Sequence, residues 1–233
     1  MDILELPTRE GYDRWADTYD TKPNPLIALD ELALTRRMEE LRVKPSRAVD
    51  LGCGTGRNTY RLLEAGADVT AVDFSERMMD VARRHPRAPR VRFCRHDLTE
   101  PLPFEDAAFD VVVCALVLEH VAHLPPLFRE IRRICERDGW IHLSDLHPVM
   151  RLRDGQAQFS DRHEGLEVRP KGYEHNVSDY VMAVVQAGFE LVRMEEHFVT
   201  PSLTSSHPKA EKHLGWPMLL SFLLKPGERR CSA

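Results

Sequence analysis

Three glycines and three acids carry the clearest chemistry in this chain. The glycines lie in Val49-Asp50-Leu51-Gly52-Cys53-Gly54-Thr55-Gly56-Arg57. An apolar run, a glycine turn and a helix-forming segment follow one another there. Glycine permits positive φ and lets a ligand approach the backbone closely. Asp50 ends the first apolar run and Asp73 the next, where a carboxylate can accept hydrogen bonds from both hydroxyls of a ribose. Asp97 ends the third, in Phe93-Cys94-Arg95-His96-Asp97-Leu98. A carboxylate there can accept from an adenine amino group, while the Leu98 amide donates to a ring nitrogen. Phe74 and Met78 can pack on the same base. One such acid alone reads as a solvated strand end; three at successive strand ends point to a nucleoside site. The dinucleotide fingerprint of dehydrogenases is G-x-G-x-x-G. Here the glycines read G-x-G-x-G, and Arg57 stands in the third glycine's place.

These residues need a scaffold of alternating strands and helices, and the sequence predicts one. Residues 47–51, 68–73, 91–96, 110–114, 140–145, 189–197 and 218–225 read as strands. Residues 25–42, 57–65, 75–84, 125–136 and 178–186 read as helices. Ser75 and Ser178 are the expected N-caps, Gly66 and Gly188 the stops, and Arg137-Asp138-Gly139 a turn. This rhythm predicts an α/β fold, a doubly wound, mostly parallel sheet with helices on both faces. The valines of 110–114 suit burial on both sides. Two stretches break the rhythm. Residues 146–177 span about thirty positions between a strand and a helix, where about 2–6 are usual. Residues 198–216 are polar and contain Pro201, His207, Pro208 and His213.

The chain has 233 residues, enough for one large domain with its own core. Its net charge of −5 argues against an overall nucleic-acid-binding surface. Arg83, Arg84, Arg87, Arg90, Arg92 and Arg95 form a dense basic run, which reads as a solvated face. The residues MDILELPTRE are acidic and polar, unlike a signal peptide, and no apolar run reaches the length of a membrane span. A cytoplasmic protein with no membrane partner is expected. The five cysteines are odd in number and form no C-x-x-C pair, so disulfides and zinc are not expected.

VDLGCGTGRNT, AVDFSERMM, HDLTEPLPFEDAAFDVVVCALVLEHV and LFREIRRICERDGWIHLSD, in that order, resemble the successive motifs of class I S-adenosylmethionine-dependent methyltransferases. The resemblance runs from Val49 to Asp145, and 218–225 is similar to the family's antiparallel last strand. It implies a Rossmann-like methyltransferase fold of seven strands, S-adenosylmethionine as cofactor, and an N-terminal helical lid over 1–45. It also implies cofactor contacts at Gly52, Gly54, Asp73 and Asp97, with Cys53, Ala115 and His120 beside them in the matched motifs. The segment YDRWADTYD is similar to the entry segment of small-molecule members, such as the quinone and biotin-pathway methyltransferases. Tyr12 and Tyr19 would be the tyrosines that lie near the cofactor there, with Trp15 a packing residue.

Methyl transfer from a sulfonium is an in-line displacement with a good leaving group. Alignment and exclusion of water are its main demands. Cys114-Ala115-Leu116 after the fourth strand lacks the oxygen ligands that magnesium prefers, so no metal is expected. The Asn/Asp-Pro-Pro-aromatic motif of nucleic-acid amine methyltransferases is absent from the same place. His147, directly after the fifth strand, is the leading candidate for a general base. His163 and His175 lie in the long insertion, and His142 is expected to be structural. The expected enzyme is a single domain, 1–233, with 146–177 capping the acceptor site. It would methylate O, N or C of a small-molecule metabolite. RNA or a carrier protein as acceptor, and a non-catalytic cofactor-binding subunit, are the alternatives.

Overall fold

The structure, a computed structural model, describes residues 2–41, 44–161 and 164–227. β1 (Ile3–Leu6) and α1 (Thr8–Trp15) lead through a 3-10 turn, Ala16–Thr21, to α2 (Pro25–Glu40). Then come β2 (Arg47–Leu51), α3 (Arg57–Glu64), β3 (Asp68–Asp73), α4 (Glu76–Ala82), β4 (Val91–Arg95), β5 (Phe109–Ala115), α5 (Leu124–Ile134) and β6 (Cys135–Leu146). A 3-10 turn, Pro148–Arg153, precedes β7 (Phe159–Asp161) and β8 (Leu166–Pro170). Next are α6 (Val177–Ala187), β9 (Phe189–Phe198), α7 (Pro201–Ser206), a 3-10 turn Pro208–His213, and β10 (Pro217–Pro226). No helix among the described residues is long and apolar enough to cross a membrane.

Seven strands form the main sheet in the order β4-β3-β2-β5-β6-β10-β9. β10 runs antiparallel to both of its neighbours, and the other pairs are parallel. This is the doubly wound sheet that the alternation predicts. Its strand order reverses between β2 and β5, and ligands of open α/β sheets bind outside the carboxyl ends of strands at such a point. The period of two along β5 sorts its side chains. Val112 and Cys114 pack with Phe128 and Ile131 of α5 and Tyr180 and Val184 of α6. Val111 and Val113 pack on the other face with Leu34 of α2 and Leu62 of α3. Burying each large apolar side chain contributes about 1.5–3 kcal/mol.

Three local expectations are corrected. Arg137-Asp138-Gly139 does not end an element; it lies inside β6, where the register with β5 shifts between Phe109 and Val111. A Cβ at Gly139 would stand 2.7 Å from the Asp110 carbonyl oxygen, so this irregularity needs glycine. The N-cap of α6 is Asn176 rather than Ser178, and the Asn176 amide donates to the Asp179 carboxylate at 2.7 Å. Residues 25–40, expected within a lid, instead form a core helix. Leu29, Asp30, Ala33, Leu34 and Arg37 are buried there, and α2 packs on β6 and β10. The insertion carries two strands of its own. β8 pairs parallel with β1 and antiparallel with β7 in a second sheet. The N-terminal segment and the insertion therefore share one small sheet.

Candidate active site

The loop after β2 is shaped by its glycines. Gly52, Gly54 and Gly56 have φ of 75°, 53° and 91°. The amides of Gly52 and Cys53 both donate to the Val72 carbonyl, at 2.8 and 2.9 Å. A Cβ at Gly52 would lie 2.2 Å from a Val117 methyl group, so no side chain fits there. A Cβ at Gly54 would meet nothing within 4 Å. The Asp73 carboxylate accepts from the amides of Gly54 and Ser75, each at 2.8 Å, and so pins the loop to the end of β3. Burial pushes the Asp73 carboxyl up to about 6 against these amide donors. Burial likewise pushes Asp50 up to about 6, opposed by the Thr59 hydroxyl.

This loop forms part of a cavity of about 580 Å³ at the carboxyl edge of the sheet. Tyr19, Gly52, Cys53, Gly54, Asp73 and Phe74 line it, as do Met78, Asp97, Leu98, Ala115 and His120. The structure therefore gathers around one space every residue that the sequence singles out for the cofactor. Asp97 is held through Oδ1 by the amide and hydroxyl of Thr99, at 2.9 and 2.7 Å. His96, which also lines the cavity, has a buried Nε2 with no partner among the described residues.

α1 and the 3-10 turn after it are tied to this cavity's rim. The Ser75 hydroxyl donates to Asp13 at 2.6 Å, and the Thr55 hydroxyl to Asp20 at 3.2 Å. Arg77 pairs with Asp17 at 2.6 Å. His120 Nδ1 lies 2.8 Å from the Lys171 carbonyl oxygen, which can only accept, so Nδ1 carries the ring proton. Nε2 is then the acceptor for the Tyr12 hydroxyl, 2.8 Å away. Burial pushes the Tyr12 pKa well above its ordinary value, reinforced by Tyr19 and Glu119, so the phenol keeps its proton and donates.

A second cavity of about 770 Å³ adjoins the first, and Tyr12, Tyr19 and Leu116 line both. Leu116 adopts a φ of 59°, a left-handed conformation that costs about 1–3 kcal/mol in a non-glycine residue. Trp15 and Phe159 stack in its wall with ring centroids 4.9 Å apart. Met150, Gln158 and Asp161 come to it from the insertion. Lys209, Lys212 and His213 come from residues 208–213, a segment that the sequence marks as irregular without giving it a role. Glu119 also lines this cavity, nearly buried and paired with Arg151 at 2.8 Å. A carboxylate in the LEHV motif next to a nominated histidine was the available signal for it.

The histidines are placed differently from expectation. His147 lines neither cavity. Its Nδ1 accepts from the Val149 amide at 3.1 Å, leaving Nε2 to donate to Glu196 at 2.8 Å. Both ring nitrogens are thus engaged in capping the turn after β6 and fastening it to β9. His175 docks half-buried, with Nε2 2.8 Å from the Val121 carbonyl. His142 is fully buried in β6. His163 lies outside the described residues.

A mostly parallel sheet of this order, with a glycine loop after its central strand and acids at the strand ends, defines a nucleoside-binding α/β enzyme. A family model described as a methyltransferase domain matches residues 49–143. The chain is 31% identical over 225 residues to an uncharacterised methyltransferase of Emericella nidulans, covering 82% of this chain and 78% of that protein. It is 30% identical over 186 residues to a ubiquinone biosynthesis O-methyltransferase of Bordetella avium, covering 76% of each. An S-adenosylmethionine dependent methyltransferase from Mesorhizobium loti shares the fold, with a TM-score of 0.67 at 24% identity over 84% of this chain and 99% of that one. The chain belongs to the class I S-adenosylmethionine-dependent methyltransferases.

Proposed function

We propose that the first cavity holds S-adenosylmethionine and the second a small-molecule acceptor. The observation that carries this reading is the junction: Tyr12, Tyr19 and Leu116 border both spaces. The residues fit the cofactor. Gly54 leaves open the space that a Cβ would fill, and His96 brings a buried ring nitrogen that has no partner among the described residues. Asp73 would hold the ribose, and Asp97 with the Leu98 amide the adenine. When bound, the cofactor supplies a methyl group made electrophilic by its sulfonium.

The protein's part is to align the acceptor, exclude water and take a proton. Trp15, Phe159 and Met150 wall the acceptor space with apolar surface. His120 Nε2 is the proton-accepting atom, reached through the Tyr12 hydroxyl at the junction. The acceptor gives its proton to the Tyr12 oxygen as Tyr12 passes its own to His120, and the Lys171 carbonyl steadies the imidazolium through Nδ1. α1 with the 3-10 turn after it, and the insertion, would close over this space as lid and cap. RNA as acceptor is the weaker reading, because Arg83, Arg84 and Arg87 of the basic run are already paired with acids. The apolar end of β5 leads us to expect that a chelator leaves turnover unaffected.

The test is release of S-adenosylhomocysteine against fractionated metabolite pools. Once an acceptor is in hand, Tyr12→Phe and His120→Gln should lower kcat about a hundredfold or more, well beyond any accompanying loss of cofactor affinity, since both also line the first cavity. Wild-type turnover in both variants would remove the relay and leave alignment alone as the mechanism. Cofactor binding without turnover of any acceptor would count against the two-cavity reading.

A further inference from the structure

The walls of the second cavity carry charges of both signs, but they are not equally satisfied. Each acid that lines it is tied to an arginine. Glu119 pairs with Arg151, Asp161 with Arg14, and Asp154 and Glu167 with Arg169. Lys22, Lys209 and Lys212 line the same cavity, and among the described residues none of their ammonium groups has an ion pair or hydrogen bond. Lys209 and Lys212 stand three apart on a 3-10 turn, where side chains at that spacing eclipse, so both rise from one face. His213 beside them is held below its ordinary pKa by burial and by the charges of Lys212 and Arg153, and stays neutral near pH 7. It therefore adds no charge of its own, and the lysines carry the positive charge of this turn. These lysines are the cavity's cations left without an acid partner among the described residues.

The rest of the cavity is suited to a compact, flat molecule. Its volume of about 770 Å³ is that of a small-molecule site. Trp15 and Phe159 present stacked rings. The Gln158 amide oxygen is buried without a partner among the described residues, which leaves one polar group in the wall for a ligand to satisfy.

We propose that the acceptor is a small organic anion: an apolar, flat body against Trp15 and Phe159, with a carboxylate or phosphate at Lys209 and Lys212. This rests on the second cavity being the acceptor site. It extends that reading by fixing the acceptor's charge. The lysines bind and orient the acceptor, and the methyl transfer takes place at the Tyr12 end of the same space. A cation or a neutral molecule would leave the lysines unmatched.

A fluorescence titration tests this with two probes of one ring system, anionic anilinonaphthalene sulfonate and neutral phenylnaphthylamine. The Lys209→Gln/Lys212→Gln double variant should weaken the sulfonate about tenfold or more and leave the neutral probe unchanged. Ala157→Trp, which fills the cavity, should weaken both. Unchanged sulfonate binding in the lysine variant, equal loss of both probes in it, or indifference of both probes to Ala157→Trp would overturn the proposal. Turnover of aromatic carboxylates and phosphate monoesters, with their neutral amides and methyl esters inert, would support it and separate the two anions. Neutral acceptors turned over as well as anions would overturn it. Calorimetry with S-adenosylmethionine runs alongside: failure there sinks the cofactor assignment and leaves the probe result standing.

Discussion

Asp73→Ala should lower the affinity for S-adenosylmethionine about tenfold to a thousandfold in calorimetry, because each hydrogen bond to a charged acceptor is worth about 1.5–3 kcal/mol. The carboxylate has two tasks. It would accept from the ribose, and it already holds the Gly54 amide in place. The variant should stay folded, since the change leaves no large cavity. The affinity should also fall as pH drops through about 6, the value to which burial pushes this carboxyl. Above it the group is ionised and accepts hydrogen bonds fully; below it a proton occupies one oxygen. Asp50, pushed equally high, adds to the same decline. An affinity unchanged in Asp73→Ala would make this residue a strand end and nothing more.

Asp30→Ala should destabilise the fold by about 3–5 kcal/mol, the cost of leaving a buried ionic partner uncompensated. For a chain of this size that is a fall in Tm of roughly 6–20 °C. Asp30 is fully buried on α2, and Arg57 meets it at 2.7 Å. The Ser144 hydroxyl of β6 donates to its other oxygen, and His142 Nε2 stands 3.6 Å away. Burial alone would raise this carboxyl. His142, Arg57 and Ser144 outweigh it and hold the group well below the usual carboxylate range. Its stabilisation is therefore present above about pH 4 and fades as pH falls below that value. The measurement is thermal or denaturant unfolding of both proteins at neutral pH and near pH 3. A loss under about 1 kcal/mol at neutral pH would show that Arg57 finds compensation in water. The gap between the two proteins should narrow at the lower pH.

Asp30 also shows what the sequence conceals. Arg57 could be read as the residue that breaks the dinucleotide pattern, but its partner lies twenty-seven positions away on a helix assigned to a lid. The main sheet and the first cavity were legible because their signals are local: apolar runs, a glycine turn and an acid at each strand end. The second cavity was only partly so: 146–177 stood out by its length, but the walls are assembled from distant pieces. β1 is a four-residue strand with alternating, half-exposed side chains, and its partner β8 lies beyond residue 160. No local period marks such a pair. His147 misled for the opposite reason. Its position after β6 is the right height on the sheet, but the turn it caps and Glu196 draw its ring away from either cavity. His120 instead acquires its setting from Tyr12 and Lys171, one on each side of it in sequence.

The parallel pairing of β1 with β8 has a consequence for how this scaffold can change its preferences. Arg14 binds Asp161, Trp15 stacks on Phe159, and Gly11 lies flat against Pro170. The two segments are far apart in the gene product but inherit a common fate. A chimera that imports either one alone from a relative would leave strand edges and ring faces mismatched. Recombination that moves both together would keep these strand edges and ring faces matched. The two segments are therefore expected to be exchangeable only as a pair.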